Sequence, residues 1–175
     1  MLDTEIDELT KSIKEVVTGR SYETLITPAT IEDLHATSAT WQFDWNLELA
    51  NGDVFKLTVP KLGQHIHGLI SLAYGEGYVW INVIESHPEN VGRRKKYSGV
   101  AANLVAYACK LSFERGLEGF VSFDAKSTLI EHYKRSLGAT QIGRSQRMYL
   151  DRIPSQRLVD QYFGEKHAGQ KPTRL

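Results

Sequence analysis

The most constraining feature of this 175-residue chain is a change of period partway along it. Residues 65–74 and 78–85 read as two apolar strands joined by Gly75-Glu76-Gly77, a β-hairpin. Beyond them the spacing becomes helical. Val100, Ala101, Leu104, Val105, Ala108, Leu111 and Ser112 fall on one side of a helix that Gly116 closes. A short strand at 119–124 follows, then a second helix with Leu129, Tyr133 and Leu137 on one face. Its entry, Thr128-x-x-Glu131, fits a capping box, and Gly138 fits its end. Residues 140–150 supply the last strands, and Pro154 opens a short helix to Phe163. A hairpin passing into strand–helix–strand–helix–strand restricts the chain to an α+β plan, an antiparallel meander running into βαβ units.

The N-terminal part is read from periodicity alone. Ile6, Leu9, Ile13 and Val16/Val17 recur at helical spacing up to Gly19, which predicts a helix over 3–18. Trp41, Phe43, Trp45, Leu47 and Leu49 alternate with polar residues, which predicts a half-buried strand. Asn51-Gly52-Asp53 then reads as a three-residue loop leading to a return strand with Phe55, Leu57 and Val59 on one face, stopped by Pro60.

Length and charge bound the class. A chain of 175 residues suits one domain, here 1–163, with 164–175 as a polar, flexible tail. The 21 basic residues balance 21 acidic ones, which argues against a protein that coats nucleic acid or anionic membrane. Cys109 stands alone, so no intramolecular disulfide forms. With neither a basic–apolar leader nor a 20-residue apolar run, the expectation is a cytoplasmic protein.

The balanced count conceals one concentration of charge. Arg93-Arg94-Lys95-Lys96 runs through Tyr97-Ser98 to Gly99-Val100-Ala101 at a predicted helix start. The first N–H groups of a helix and its positive dipole end favour an anion such as phosphate. Gly99 permits close backbone approach. On the residues alone, a basic run before a helix is more often a solvated loop than a ligand site.

The complete series, however, resembles the GNAT superfamily of acyl-CoA N-acyltransferases. The family motif Gln/Arg-x-x-Gly-x-Gly/Ala stands here as Lys96-Tyr97-Ser98-Gly99-Val100-Ala101, after a strand and opening a helix. The following strand, Tyr133, and Leu137-Gly138-Ala139 match what the family places further on, and the similarity spans about 64–150. Lys96 replaces the usual Gln or Arg, Ala139 a common Phe, and Lys126 a frequent Asn. Residues 1–60 do not show the strand followed by two helices with which the family begins. The resemblance implies a mixed, mostly antiparallel central sheet flanked by helices. It also implies acetyl-CoA as co-substrate, its pyrophosphate held by Arg94, Lys95, Lys96, Tyr97, Ser98, Gly99, Val100 and Ala101. The acetyl group would pass to a primary amine, on a small molecule or a protein, by direct attack in a ternary complex. No metal is required, and a homodimer is compatible with such a fold.

Three residues are candidates for the chemistry. Tyr133 would protonate the leaving thiolate on the family pattern; otherwise it belongs to a core stripe with Leu129 and Leu137. Glu85 continues the parity of Val79, Ile81 and Val83, which puts a carboxylate at the end of an apolar strand face as a general base, or else just beyond the strand as an exposed acid. His87 is the second candidate base because it titrates near neutrality. His65 and His67 share a strand face, but no third metal ligand is evident, so they read as a satisfied pair. Cys109 and the Trp41, Phe43, Trp45 set read as core. Two further functions fit the same residues: a non-catalytic CoA- or protein-binding module, and a toxin-like acetyltransferase acting on aminoacyl-tRNA. Nucleic acid is otherwise disfavoured by the neutral balance.

Overall fold

A computed structural model describes residues 1–37 and 39–168. Residues 1–12 run extended into β1 (Ile13–Glu15), and β2 (Ser21–Tyr22) and β3 (Leu25–Pro28) follow. Next come α1 (Ile31–Thr37), α2 (Trp45–Asn51), β4 (Asp53–Thr58), β5 (Ile66–Tyr74) and β6 (Val79–Ser86). The C-terminal half adds β7 (Tyr97–Ser98), α3 (Val100–Glu114), β8 (Val121–Asp124), α4 (Ile130–Leu137), β9 (Thr140–Gln141), β10 (Arg147–Leu150) and α5 (Arg152–Ala168). Seven strands form the main sheet in the order β3-β4-β5-β6-β8-β10-β9, and β2-β1-β7 make a small second sheet. The expected hairpin is β5–β6, antiparallel from Gly68↔Ser86 to Tyr74↔Val79.

Strand alternation sends neighbouring side chains to opposite faces. Phe55, Leu57, Ile70, Leu72 and Ile81 enter the larger core beneath α3, with Phe123, Tyr133 and Leu158. Val54, Leu69 and Val83 face the other way, onto Leu34, Trp41 and Trp45; a bulge at Asn82 reverses the parity of β6, so Val83 and Glu85 do not share the face of Val79 and Ile81 as expected. Helix α3 lies so close to the sheet that a Cβ on Gly68 would come within 2.6 Å of Val100 Cγ1. Cys109 is fully buried in this core, as expected of a small interior residue.

Three sequence expectations are corrected. The helix expected over 3–18 is absent: Leu2, Ile6 and Ile13 are buried, whereas Val17 is 90% exposed and Val16 46%, so the helical spacing marks no single face. Tertiary burial of an extended segment prevails over the local period. The strand expected at 41–49 is α2 with its lead-in. Asp44 caps this helix by accepting from the Leu47 N–H at 3.1 Å, and Leu47, assigned to the apolar strand face, is 57% exposed. Asn51-Gly52-Asp53 is accordingly a helix end, with the Gly52 N–H bonded to Glu48 O, and β4 pairs with β3 and β5 instead. With β3 followed by α1 and α2, the N-terminal half contains the strand and two helices that its sequence conceals. Smaller differences concern helix ends. Ser127–Leu129 form a 3-10 turn and α4 starts at Ile130 without a side-chain cap, so the Thr128–Glu131 capping box does not form. Helix α5 extends beyond 154–163 at both ends, and of the expected tail residues 169–175 lie outside the described residues. No helix among the described residues is long and apolar enough to cross a membrane.

Candidate functional site

Among the described residues, β6 and β8 are the one parallel pair in the main sheet, joined only at Val79↔Val121 and Trp80↔Ser122. Past those residues the strands part. The gap between them is occupied by the start of the chain itself. Leu2 donates its N–H to Asp124 O at 2.7 Å and accepts from the Lys126 N–H at 2.9 Å, while the Thr4 hydroxyl donates to Ile84 O at 3.0 Å. The segment thus bonds to β6 on one side and to the end of β8 on the other.

From there it crosses the start of α3. The Ile6 N–H donates to His132 Nε2 at 2.8 Å. Asp7 Oδ1 accepts from the Gly99 N–H at 3.1 Å, and Lys95 Nζ reaches Asp7 Oδ2 at 3.1 Å. Glu8 accepts from the Ser98 hydroxyl at 2.8 Å. Gly99 holds φ at +91°, and a Cβ there would collide with the Thr10 hydroxyl, so the strained conformation and the crossing segment both require glycine. The helix start and basic loop therefore do gather an anion. It is a carboxylate of the same chain.

The expected cofactor residues are divided by this arrangement. Ser98, Gly99, Val100 and Ala101 are buried at the head of α3, and Lys95 is neutralised by Asp7. Lys96 pairs with Glu89 at 3.4 Å, Arg93 and Arg94 are exposed, and Tyr97 meets the ring edges of Tyr22 and His67.

Tyr133 is completely buried against Phe123, and its hydroxyl donates to Thr4 O at 2.6 Å. Burial holds the phenol well above its ordinary pKa, so it stays protonated at neutral pH. Glu85 is 7% exposed at the end of β6. Its carboxylate accepts from the Gln42 N–H at 2.7 Å, the Phe43 N–H at 3.0 Å and the Trp45 indole N–H at 3.0 Å, tethering the α2 lead-in to the sheet. His87 turns elsewhere: Nδ1 accepts from the Glu89 N–H at 3.1 Å and its ring stands edge-on to Trp41. Burial lowers its pKa.

A cavity of about 780 Å³ opens between the N-terminal segment and the α2 lead-in. Its lining includes Thr4, Glu5 and Asp7 of the segment, Trp41, Gln42 and Phe43 of the lead-in, and Glu85 and Lys95. Of the three candidate catalytic groups, Glu85 lines this space, Tyr133 lies under Thr4, and His87 faces Glu89. Sequence reasoning missed Thr4 and Asp7, the two residues covering Tyr133 and Gly99. Nothing in the local pattern marks them, because their role arises from contacts some 90 and 130 positions away.

His65 and His67 are not a satisfied pair. Glu89, carried on the 3-10 turn Pro88–Asn90, brings Oε1 within 2.6 Å of His65 Nε2, and the buried His67 Nε2 has no hydrogen-bond partner. Burial, helped by the neighbouring His65, lowers the His67 pKa to about 4.

This architecture, a splayed parallel pair beside a glycine-started helix, is the fold of the GNAT acetyltransferases. No family model matches the sequence, and no curated protein matches it either. The fold itself is shared with solved structures. The ribosomal-protein-S18-alanine N-acetyltransferase from Escherichia coli is 14% identical, with 72% of this chain and 89% of that chain covered and a TM-score of 0.52. The AtaT protein complexed with acetyl-methionyl-tRNAfMet is also 14% identical, covering 78% of this chain and 99% of that one at a TM-score of 0.52. A GNAT family acetyltransferase from Listeria monocytogenes, 14% identical, covers 72% and 92% at 0.50.

Proposed function

We infer that the protein is an acyl-CoA-dependent N-acetyltransferase that moves the acetyl group of acetyl-CoA to a primary amine. The observation that carries this reading is the parting of β6 and β8 beside the Gly99 start of α3, with a protonated phenol beneath the gap. Once residues 2–8 withdraw, the split offers strand edges to an extended pantetheine arm, and the helix start offers N–H groups to a pyrophosphate. Arg94, Lys95, Lys96 and Tyr97 to Ala101 form the surrounding loop.

In the reaction the neutral amine attacks the thioester carbon, the tetrahedral intermediate collapses, and the C–S bond breaks. The thiolate takes one proton and the amine loses one. Tyr133 is the proton donor in this reading: its hydroxyl, which donates to Thr4 O, becomes available to sulfur once residues 2–8 withdraw. Glu85 or His87 accepts the amine proton, directly or through water. Glu85 faces the cavity but already holds three N–H donors, and the lone pair of His87 Nδ1 is taken by the Glu89 N–H, so either base has to release a donor before it accepts.

The occupied gap means that acetyl-CoA and residues 2–8 exclude each other. That same occupancy favours the second reading, a GNAT-fold module that binds without turnover. The acetyl-aminoacyl-tRNA complex of AtaT supports a tRNA-linked amine as one acceptor class, and the exposed Arg93 and Arg94 suit a phosphate backbone. The test is thiol release from acetyl-CoA by the full chain with a panel of small amines, N-terminal peptides and charged tRNA, against an amine-free blank. Release with one acceptor class supports the enzyme. Stoichiometric CoA binding with no release on any class supports the module, and absence of CoA binding overturns both.

A further inference from the structure

The imidazole cluster beside β5 and the 88–90 turn has no part in the proposed transfer. His65 and His67 lie two residues apart and so share one face of the chain. Their rings meet edge to face at 4.7 Å. The β5–β6 hairpin ends there, where the His87 N–H bonds to His67 O at 2.8 Å and the next residues turn back as Pro88–Asn90. That turn delivers Glu89 onto the pair. One ligand atom from each of His65, His67 and Glu89 lies within 4.8 Å of the others.

We propose that His65, His67 and Glu89 form a binding site for a divalent cation of the zinc class, which clasps the 88–90 turn to the start of β5. The donor set is two imidazoles and one carboxylate, the nitrogen and oxygen chemistry that zinc, cobalt and nickel take, and a fourth position remains for water. His67 is 2% exposed and leaves Nε2 unpartnered, a cost that a buried imidazole seldom bears without a ligand. Asn90 supports the ring from behind, its amide 3.3 Å from His67 Nδ1, while its own Oδ1 is also buried without a partner. Turning that amide by half a rotation lets Oδ1 accept from Nδ1–H. Asn90 Oδ1 then has a partner in place of the amide's 3.4 Å contact with His67 O, and Nε2 is left with its lone pair for a cation, the outer support that metal-bound histidines use.

The geometry needs only side-chain movement. Metal–donor bonds of about 2.0–2.2 Å place tetrahedral donors about 3.3–3.5 Å apart. The cluster thus has to close from a separation of at most 4.8 Å by roughly 1.3–1.5 Å, while the His65–Glu89 contact opens. His65, 41% exposed at its side chain, is free to move. Lys96 Nζ sits on Glu89 Oε2 and leaves Oε1, the oxygen already facing His65, for the cation. His87 is a neighbour rather than a ligand, because its Nδ1 is held by the Glu89 N–H.

The test is titration of metal-free full chain with Zn²⁺ by calorimetry and with Co²⁺ by visible absorption. One equivalent should bind, with the d–d bands of a four-coordinate nitrogen–oxygen site. At a hundredfold excess of Zn²⁺ over Kd the thermal midpoint should rise by about 5–10 °C. His65→Gln and Glu89→Gln, both at partly exposed side chains, should lose the cobalt bands and the thermal rise while folding normally without metal. His67→Gln should do the same if it folds, and the other two variants decide the matter if it does not. Cobalt spectra and midpoints unchanged in His65→Gln and Glu89→Gln would overturn the site, as would no metal binding by the parent chain.

Discussion

The Asp7 carboxylate receives the Gly99 N–H at 3.1 Å and the Lys95 ammonium at the same distance, so one side chain answers both the helix start and the basic loop. An anion at a helix N-terminus is worth about 0.3–1 kcal/mol. A phosphate-bearing ligand at the same place has to displace it. Asp7→Ala is therefore expected to tighten CoA binding about two- to fivefold, read by calorimetry on the full chain. An unchanged Kd would mean that the ligand binds away from Gly99.

Tyr133→Phe removes a proton donor but keeps the ring against Phe123. Loss of the bond to Thr4 O is expected to cost about 1 kcal/mol of stability. With an acceptor in hand, kcat should fall about 100-fold or more with KM nearly constant. Equal turnover by the variant would remove Tyr133 from the chemistry.

Glu85→Gln replaces the acceptor of three N–H groups by a neutral amide with a single carbonyl oxygen. The expected loss is about 2 kcal/mol in urea denaturation, as for hydrogen bonds to a buried charged group. A change within experimental error would show that the α2 lead-in does not depend on this tether.

Alkaline pH should weaken the fold. Burial raises the Tyr162 phenol to about 12, and its oxygen also accepts from the Thr10 N–H at 2.9 Å; burial raises Tyr133 further still. Unfolded tyrosines release their protons from about pH 10, so above that the unfolded chain binds fewer protons than the folded one. Stability is then complete below pH 10 and falls by about 1.4 kcal/mol per pH unit for each such group as pH rises. Denaturation series across that range check the slope, which Tyr162→Phe should make shallower.

Cys109 should resist thiol reagents. Burial pushes its thiol up to about 12, and the side chain is inaccessible. Modification by a disulfide reagent is expected to proceed only at the rate of structural opening and to become fast in denaturant. Fast labelling of the native protein would contradict the packing of α3.

The C-terminal half was legible because its elements are local. The Leu129, Tyr133, Leu137 stripe, the Gly138 stop and the β5–β6 hairpin each follow from residues within a few positions of one another. The N-terminal half was not. Trp41 and Trp45 are spaced for a helix face, yet Phe43 between them and Leu47 after them imitate alternation, and Asp44 was the overlooked cap. Residues 2–8 owe their form to backbone acceptors on β6 and β8, and no local period could announce that. Glu85 does stand at the strand end, but a bulge at Asn82 takes it off the face of Val79 and Ile81, and its three donors lie about 40 positions upstream.

The parted ends of β6 and β8 carry one more consequence. Two unpaired strand edges side by side are an adhesive surface, a template onto which a strand from another molecule can add. Leu2 and Thr4 remove that hazard by bonding to both edges. A ligand that displaces them has to cover the same edges, or the protein will recruit its own copies. Self-association that grows when residues 1–8 are deleted, and recedes when CoA is added, is the behaviour this arrangement dictates.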